Sequence, residues 1–220
     1  AFNGCSSLTG ITIPNSVTSI SYWVFYNCRS LTGVTIPNSV TSIGNNAFRN
    51  CSSLTDITIP DSVTRIEAST FVDCKSLTSV TIPNSVTFID YQAFGGCKSI
   101  ESIDIPSGVT RIANSAFEFC SSLSSINIPS GVTRIESAIF RRCSSLSSIN
   151  IPSGVTRIEN LAFSGCTSLS SVTISNSSSK LEYNTNAFAN ISSSAKLYVP
   201  SNLLSQYQSD SSWTSAFGGG

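Results

Sequence analysis

The sequence predicts a β-rich solenoid: short parallel strands wound through eight or nine coils, closed at the C-terminal end by an irregular cap. Three observations predict it. Eight cysteines, Cys5, Cys28, Cys51, Cys74, Cys97, Cys120, Cys143 and Cys166, stand 23 residues apart. Pro14, Pro37, Pro60, Pro83, Pro106, Pro129 and Pro152 keep the same spacing, as do the phenylalanines from Phe2 through Phe163. Within each unit, apolar residues alternate with polar ones in two short runs. A fixed period of this size marks units that bury their apolar faces only on one another.

One unit reads A-F-x-x-C-x-S-L-T-x-I-T-I-P-N-S-V-T-x-I-x-x-x. In the first copy Ile11 and Ile13 alternate with Thr12, the period-2 pattern of a strand, and β-branched residues favour extended backbone there. Pro14 removes a ladder donor and ends the run; Pro14-Asn15-Ser16 supplies turn chemistry. Val17-Thr18-Ser19-Ile20 is a second short run, followed by a loop that delivers the next Phe as a core plug. Stacking aligns Ile13 with Ile36, Ile59, Ile82, Ile105, Ile128, Ile151 and Ile174, with parallel ladders of Phe2, Cys5, Leu8, Ile11, Val17 and Ile20 equivalents beside it. Seven whole copies precede a divergent eighth. Cys120–Glu136 and Cys143–Glu159 are identical, the mark of recent duplication.

The pattern L-x-x-I-x-I-P-x-S-V, with Ala-Phe, Cys and the 23-residue period, resembles the BspA-like leucine-rich repeats, with Ile in place of Leu. The resemblance runs from residue 1 to about 191. It implies a right-handed superhelical or horseshoe arc, a secreted or cell-surface location, and adhesion or the binding of an extracellular or host protein, or of a glycan. It carries no shared catalytic site and fixes no ligand-binding residue. The segment Lys196-Leu197-Tyr198-Val199-Pro200, with Tyr207 and Trp213, is similar to the closing segment of such arrays. The expected organisation is a solenoid over 1–191, a cap over 192–217 with Tyr207, Trp213 and Phe217 covering the last coil, and a flexible tail at 218–220. The chain opens in mid-repeat without Met and reads as a piece of a longer protein, its first strand a bare edge.

Composition narrows the chemistry. Histidine is absent, which removes the commonest general base and metal ligand. No serine has a G-x-S-x-G or S-x-x-K setting, so catalysis is not expected, nor is a cofactor or metal. Net charge is zero and no basic face is evident, so nucleic acid is not an expected partner; no apolar run is long enough to span a membrane. The cysteines stack in line, side chains parallel, which suits buried free thiols better than disulfides.

Four sets of outward residues invite a role. Arg65, Arg111, Arg134, Arg157 and Lys180, with Glu67, Glu136, Glu159 and Glu182 two residues on where present, are expected to form a surface ion-pair ladder. Thr12, Thr35, Thr58, Thr81, Asp104, Asn127, Asn150 and Thr173 line the expected concave strand face, which lacks aromatic anchors. Tyr22, Trp23 and Tyr26 in the first loop, and Phe88 and Tyr91 in the fourth, break the repeat and are the candidate ligand-binding residues. Asn50, Asn176 and Asn190 head N-x-S/T acceptor motifs. Two functions follow from this reading, a surface binding module or a stalk that holds another domain away from a cell.

Overall fold

A computed structural model describes residues 1–217; the tail expected over 218–220 lies outside the described residues. Its chain runs as a parallel β-solenoid. The first strand of each coil is Gly10–Thr12, Gly33–Thr35, Asp56–Thr58, Ser79–Thr81, Ser102–Ile103, Ser125–Ile126, Ser148–Ile151 and Ser171–Ile174, with Lys196–Tyr198 adding a ninth. Every pairing is parallel, and through the first eight coils the register between neighbours is the repeat itself, as in Ile11↔Val34 and Thr58↔Thr81. The second strand of each coil is a two-residue piece such as Ser19–Ile20 or Arg65–Ile66. A tight turn segment, Tyr22–Asn27 in the first coil, then leads to the next unit.

The eight-membered Ile13 column is buried throughout, as the alternation predicts. The largest contribution comes from the phenylalanines. Phe2, Phe25, Phe48, Phe71, Phe94, Phe117, Phe140, Phe163 and Phe188 form one continuous stack, with ring centroids 5.2–5.8 Å apart and planes within 21°. That separation at near-parallel planes is offset stacking, which avoids overlap of like-charged ring faces.

The cysteines do more than fill space. Each thiol from Cys28 onward donates to the carbonyl of the phenylalanine one coil back, at 3.1–3.2 Å: Cys28 to Phe2, Cys51 to Phe25, Cys97 to Phe71, Cys166 to Phe140. The same carbonyl also accepts the backbone amide of its own coil's cysteine, as Phe25 O does from Cys28 N. Both lone pairs of a buried oxygen are thereby used. All eight cysteines are free, and seven are buried. Cys5, in the first described coil, is the exception to the expectation of buried thiols: it is exposed. Burial pushes the Cys51, Cys120 and Cys166 thiols up to about 12 from an ordinary 9.0.

Backbone hydrogen bonds cross between coils in both senses. Several amides flanking the strands donate backward, as Thr32 N to Thr9 O and Gly44 N to Ile20 O, while Ile59 N donates forward to Thr81 O. Amides of the turn donate forward, as Phe25 N to Ala47 O and Asn27 N to Arg49 O. The turn achieves this with two left-handed residues per coil. One column is Trp23, Asn46, Ser69, Gln92, Ser115, Ala138 and Leu161; the other is Gly4, Asn27, Asn50, Asp73, Gly96, Phe119, Arg142, Gly165 and Asn190. Asn, Asp and Gly tolerate that region; Trp, Leu and Phe do so at a cost.

The eighth coil departs from the period. Glu182 pairs with Arg157 and Tyr183 with Ile158, 25 residues on rather than 23. The two extra residues are therefore taken up between Ile174 and Leu181, beside Asn176, whose Nδ2 donates to Val155 O. Beyond the ninth strand, a 3-10 turn (Ser201–Leu203) and two short helices, α1 (Leu204–Gln208) and α2 (Ser211–Phe217), cover the last coil. Trp213 and Phe217 pack on Phe188, the last ring of the stack, at 5.9 and 5.0 Å. The Tyr207 hydroxyl accepts from Leu181 N, and that of Tyr183 donates to Ser212 O.

Two outcomes follow. Phe94→Ala, in mid-stack and fully buried, should cost about 3–5 kcal/mol in urea unfolding, while Phe2→Ala, with one stacking partner and only partial burial, should cost less than half as much. The unfolded thiols ionise near 9 while the buried ones hold their protons to about 12, so in that window the folded state binds more protons. Stability should be flat in this respect below about pH 9 and fall as pH rises above it, by at most ~1.4 kcal/mol per pH unit per thiol; urea midpoints between pH 7 and 10.5 check this. In native protein at neutral pH, a thiol reagent should titrate Cys5 alone.

Candidate functional site

The turn segment places Tyr22 and Trp23 at the edge of the first coil. Tyr22 is 68% exposed and Trp23 49%, their rings edge to face at 5.6 Å. Trp23 holds a left-handed backbone, φ 59°, which aims its side chain away from the core column two residues later. The next coil passes unusually close beneath: a Cβ on Gly44 would stand 2.7 Å from Tyr22 N. This leaves an open groove of about 470 Å³ lined by the two aromatic residues together with Ser42, Gly44, Asn45, Asn46 and Glu67.

The other candidates do not join this pair. Tyr91, 48% exposed, occupies the same column as Tyr22 three coils on, roughly 14 Å away at strand spacing. Tyr26 is half-buried at the far end of the first turn, in the column of Arg49. Phe88 is not a loop residue: it lies in the second strand of its coil, paired with Arg65 and Arg111. Its ring is covered by the two guanidinium groups, at 4.2 and 5.2 Å. A cation on each side makes it a member of the charged ladder.

That ladder also differs from expectation. Its pairs run mainly between coils: Arg65 to Asp90 at 2.6 Å, Arg111 to Glu136 at 3.8 Å, Arg134 to Glu159 at 2.7 Å and Arg157 to Glu182 at 3.5 Å. Only Arg65–Glu67 and Arg157–Glu159 pair two residues apart. The register shift moves Glu182 onto the arginine position, so Lys180 leaves the ladder and pairs with Asp210 in the cap. This holds the Asp210 carboxyl below the usual range, with Ser212 N as second donor.

The strand face is polar and exposed at every position from Thr12 to Thr173, as expected. Of the three acceptor motifs, Asn176 is buried and Asn50 donates its amide to Asn27 at 2.9 Å, while Asn190 is exposed. Sequence reading missed Phe119. It stands outside the phenylalanine column, 38% exposed at φ 62°, with the guanidinium groups of Arg141 and Arg142 at 5.9 and 5.5 Å. Its position, one residue before Cys120 where other copies carry Gly, Asn, Asp or Arg, was the available signal.

A basic strip was also missed. The three residues Tyr26, Asn27 and Arg29, flanking Cys28, have equivalents in every coil, and these carry Arg29, Arg49, Lys75, Lys98, Arg141 and Arg142 against Asp73 and Glu118. The expectation of no basic face fails here because a net charge of zero averages over separate faces.

A family model for the BspA type leucine rich repeat region matches the chain over residues 1–101 and 88–211 in six copies. The chain belongs to that family. Among solved structures, a leucine-rich repeat protein from Bacteroides ovatus superposes with a TM-score of 0.75 at 24% identity, over 98% of this chain and 67% of that one. A Treponema leucine-rich repeat protein, from T. pallidum, gives 0.59 at 25% identity over 83% and 76%. One from Eubacterium ventriosum gives 0.60 at 21% identity over 91% and 80%. A comparison with curated protein sequences finds no match. Among the described residues, no helix is long and apolar enough to cross a membrane.

Proposed function

We propose that this leucine-rich repeat chain is a secreted or cell-surface binding module, with adhesion to an extracellular or host protein as its role and no chemistry of its own. The observation that carries this is the Tyr22–Trp23 pair. Two large aromatic rings stand exposed and in contact beside a groove, where burial of either would stabilise the coil more than exposure does. Aromatic anchors beside satisfied polar groups are the usual centre of a protein-binding surface. The family's repeat architecture supports the reading, since a stacked scaffold leaves outward positions free to vary. Tyr91 extends the same column and is proposed as a secondary contact and the half-buried Tyr26 as a weaker one, while Phe88, held between Arg65 and Arg111, is left out of the site.

A stalk role has its own support in the identical copies Cys120–Glu136 and Cys143–Glu159, whose outward faces add no exposed aromatic ring. The two readings separate in one experiment. The purified chain is presented to immobilised extracellular-matrix and serum proteins. Saturable binding to at least one, weakened ten- to hundredfold by Tyr22→Ala/Trp23→Ala with an unchanged urea midpoint, is the expected result. Binding to none of them would favour the stalk, and binding indifferent to the double substitution would remove the site from the first coil.

A further inference from the structure

Eleven of the twelve cationic side chains fall into two populations, with Lys196 apart on the ninth strand. On the ladder, Arg65, Arg111, Arg134 and Arg157 each have a carboxylate within 4 Å, and Lys180 has Asp210. On the turn face, among the described residues, Arg29, Arg49, Lys75, Lys98 and Arg142 have none; Arg141 alone is paired, to Glu118 at 3.0 Å. Glu118 is thereby spent, and Asp73 is the one carboxylate left against five free cations on this face. Four of the five, Arg29, Lys75, Lys98 and Arg142, are exposed. Arg49 is half-buried, and its Nε has no hydrogen-bond partner.

Geometry turns these charges into a line. The turn residues stack coil on coil, so Arg29, Arg49, Lys75 and Lys98 sit on four successive coils and Arg142 two coils further on. At about 4.8 Å per coil the row extends roughly 24 Å along the solenoid axis. A groove of about 350 Å³ at its middle is lined by Arg49, Lys98 and Phe119, and also by the acidic Asp73 and Glu118, the latter already paired to Arg141. Phe119 keeps 38% of its surface exposed beside its two arginines.

We propose that the turn face binds a linear anionic polysaccharide, with the five unpaired cations meeting its sulfate or carboxylate groups and Phe119 stacking on a sugar ring. A line of charges along the axis complements a polymer whose charges repeat along its length. It fits a compact acidic protein patch less well, since such a patch would engage only part of the row. This row adjoins the Tyr22–Trp23 groove through Arg49, which donates to Asn46 of that groove's lining, but its charges extend along later coils, and its binding of a polyanion stands whether or not the groove binds protein.

The test uses heparin as the probe, with the whole chain in solution. Binding is expected at ~50 mM salt, falling with a slope of log K against log salt on the order of −3 for five contacts. Lys75→Glu/Lys98→Glu should weaken it at least tenfold, while Arg134→Glu on the paired ladder leaves it within twofold. Phe119→Asn, a residue suited to the left-handed backbone there, should weaken it a few-fold without lowering the urea midpoint. No heparin binding at low salt, equal loss from Arg134→Glu, or equal affinity for uncharged dextran would overturn the proposal. Single-stranded DNA binding as tightly as heparin would overturn its assignment to a polysaccharide.

Discussion

No coil of this protein has a core of its own, and everything else follows from that. Each phenylalanine needs a ring above and below it. From Phe2 to Phe140 each phenylalanine carbonyl, held between coils, takes a second donor from the cysteine thiol of the following coil. A cysteine is small enough to sit in the column, apolar enough to be buried there, and still able to donate. Serine would donate as well but would bring a more strongly hydrated group into a dry column. The hydroxyls nearer the surface repeat the device: Thr32, Thr55 and Thr78 each donate to the carbonyl of the equivalent residue one coil back.

This constraint divides the unit into positions that cannot vary and positions that can. Inward columns hold Phe, Cys, Leu and Ile through copy after copy, while the outward columns drift. That drift produced a neutralised ladder on the second-strand side, a bland hydroxyl and amide face on the first-strand side, and an unneutralised basic row on the turns. The ladder's pairs join neighbouring coils and contribute little each, being solvent-exposed at the arginine end. Phe88 shows how the ladder absorbs a change: a ring in an arginine position is held by the arginines on either side. The turn row has no such compensation, and the same is true of Tyr22 and Trp23. Outward features that the scaffold does not neutralise are where a partner's chemistry is to be sought.

Much of this was legible in 23-residue arithmetic. The buried columns, the parallel register and the free thiols come directly from spacing. Phe88 could have been placed as well, since it stands 23 residues after Arg65. Lys180 could not: the eighth unit has two extra residues, and nothing in Ser175–Ser179 says on which side of the second strand they are absorbed. The left-handed columns were hidden because Asn, Asp, Gly and Ser mark any turn, and because Trp23, Phe119 and Leu161 occupy them too. The thiol-to-carbonyl bond was invisible because it joins residues 26 apart, a separation that only the stacked coil explains. The basic row was obscured by the zero net charge, though the residues flanking each cysteine carried it in plain view.

The central claim is that register between coils, rather than chain length or composition, specifies the fold. Deleting residues 121–143 removes one whole repeat and joins Cys120 to Ser144, restoring an unbroken Cys-Ser-Ser-Leu junction. Deleting 122–143 removes one residue fewer and leaves an extra serine between that cysteine and Leu146. Urea unfolding followed by circular dichroism compares the two. The whole-repeat deletion should unfold in a single cooperative transition close to that of the parent. The one-residue-longer chain should lose several kcal/mol or its cooperativity, because every outward residue of the following strand is driven toward the core. Equal stability of the two deletions would contradict the account.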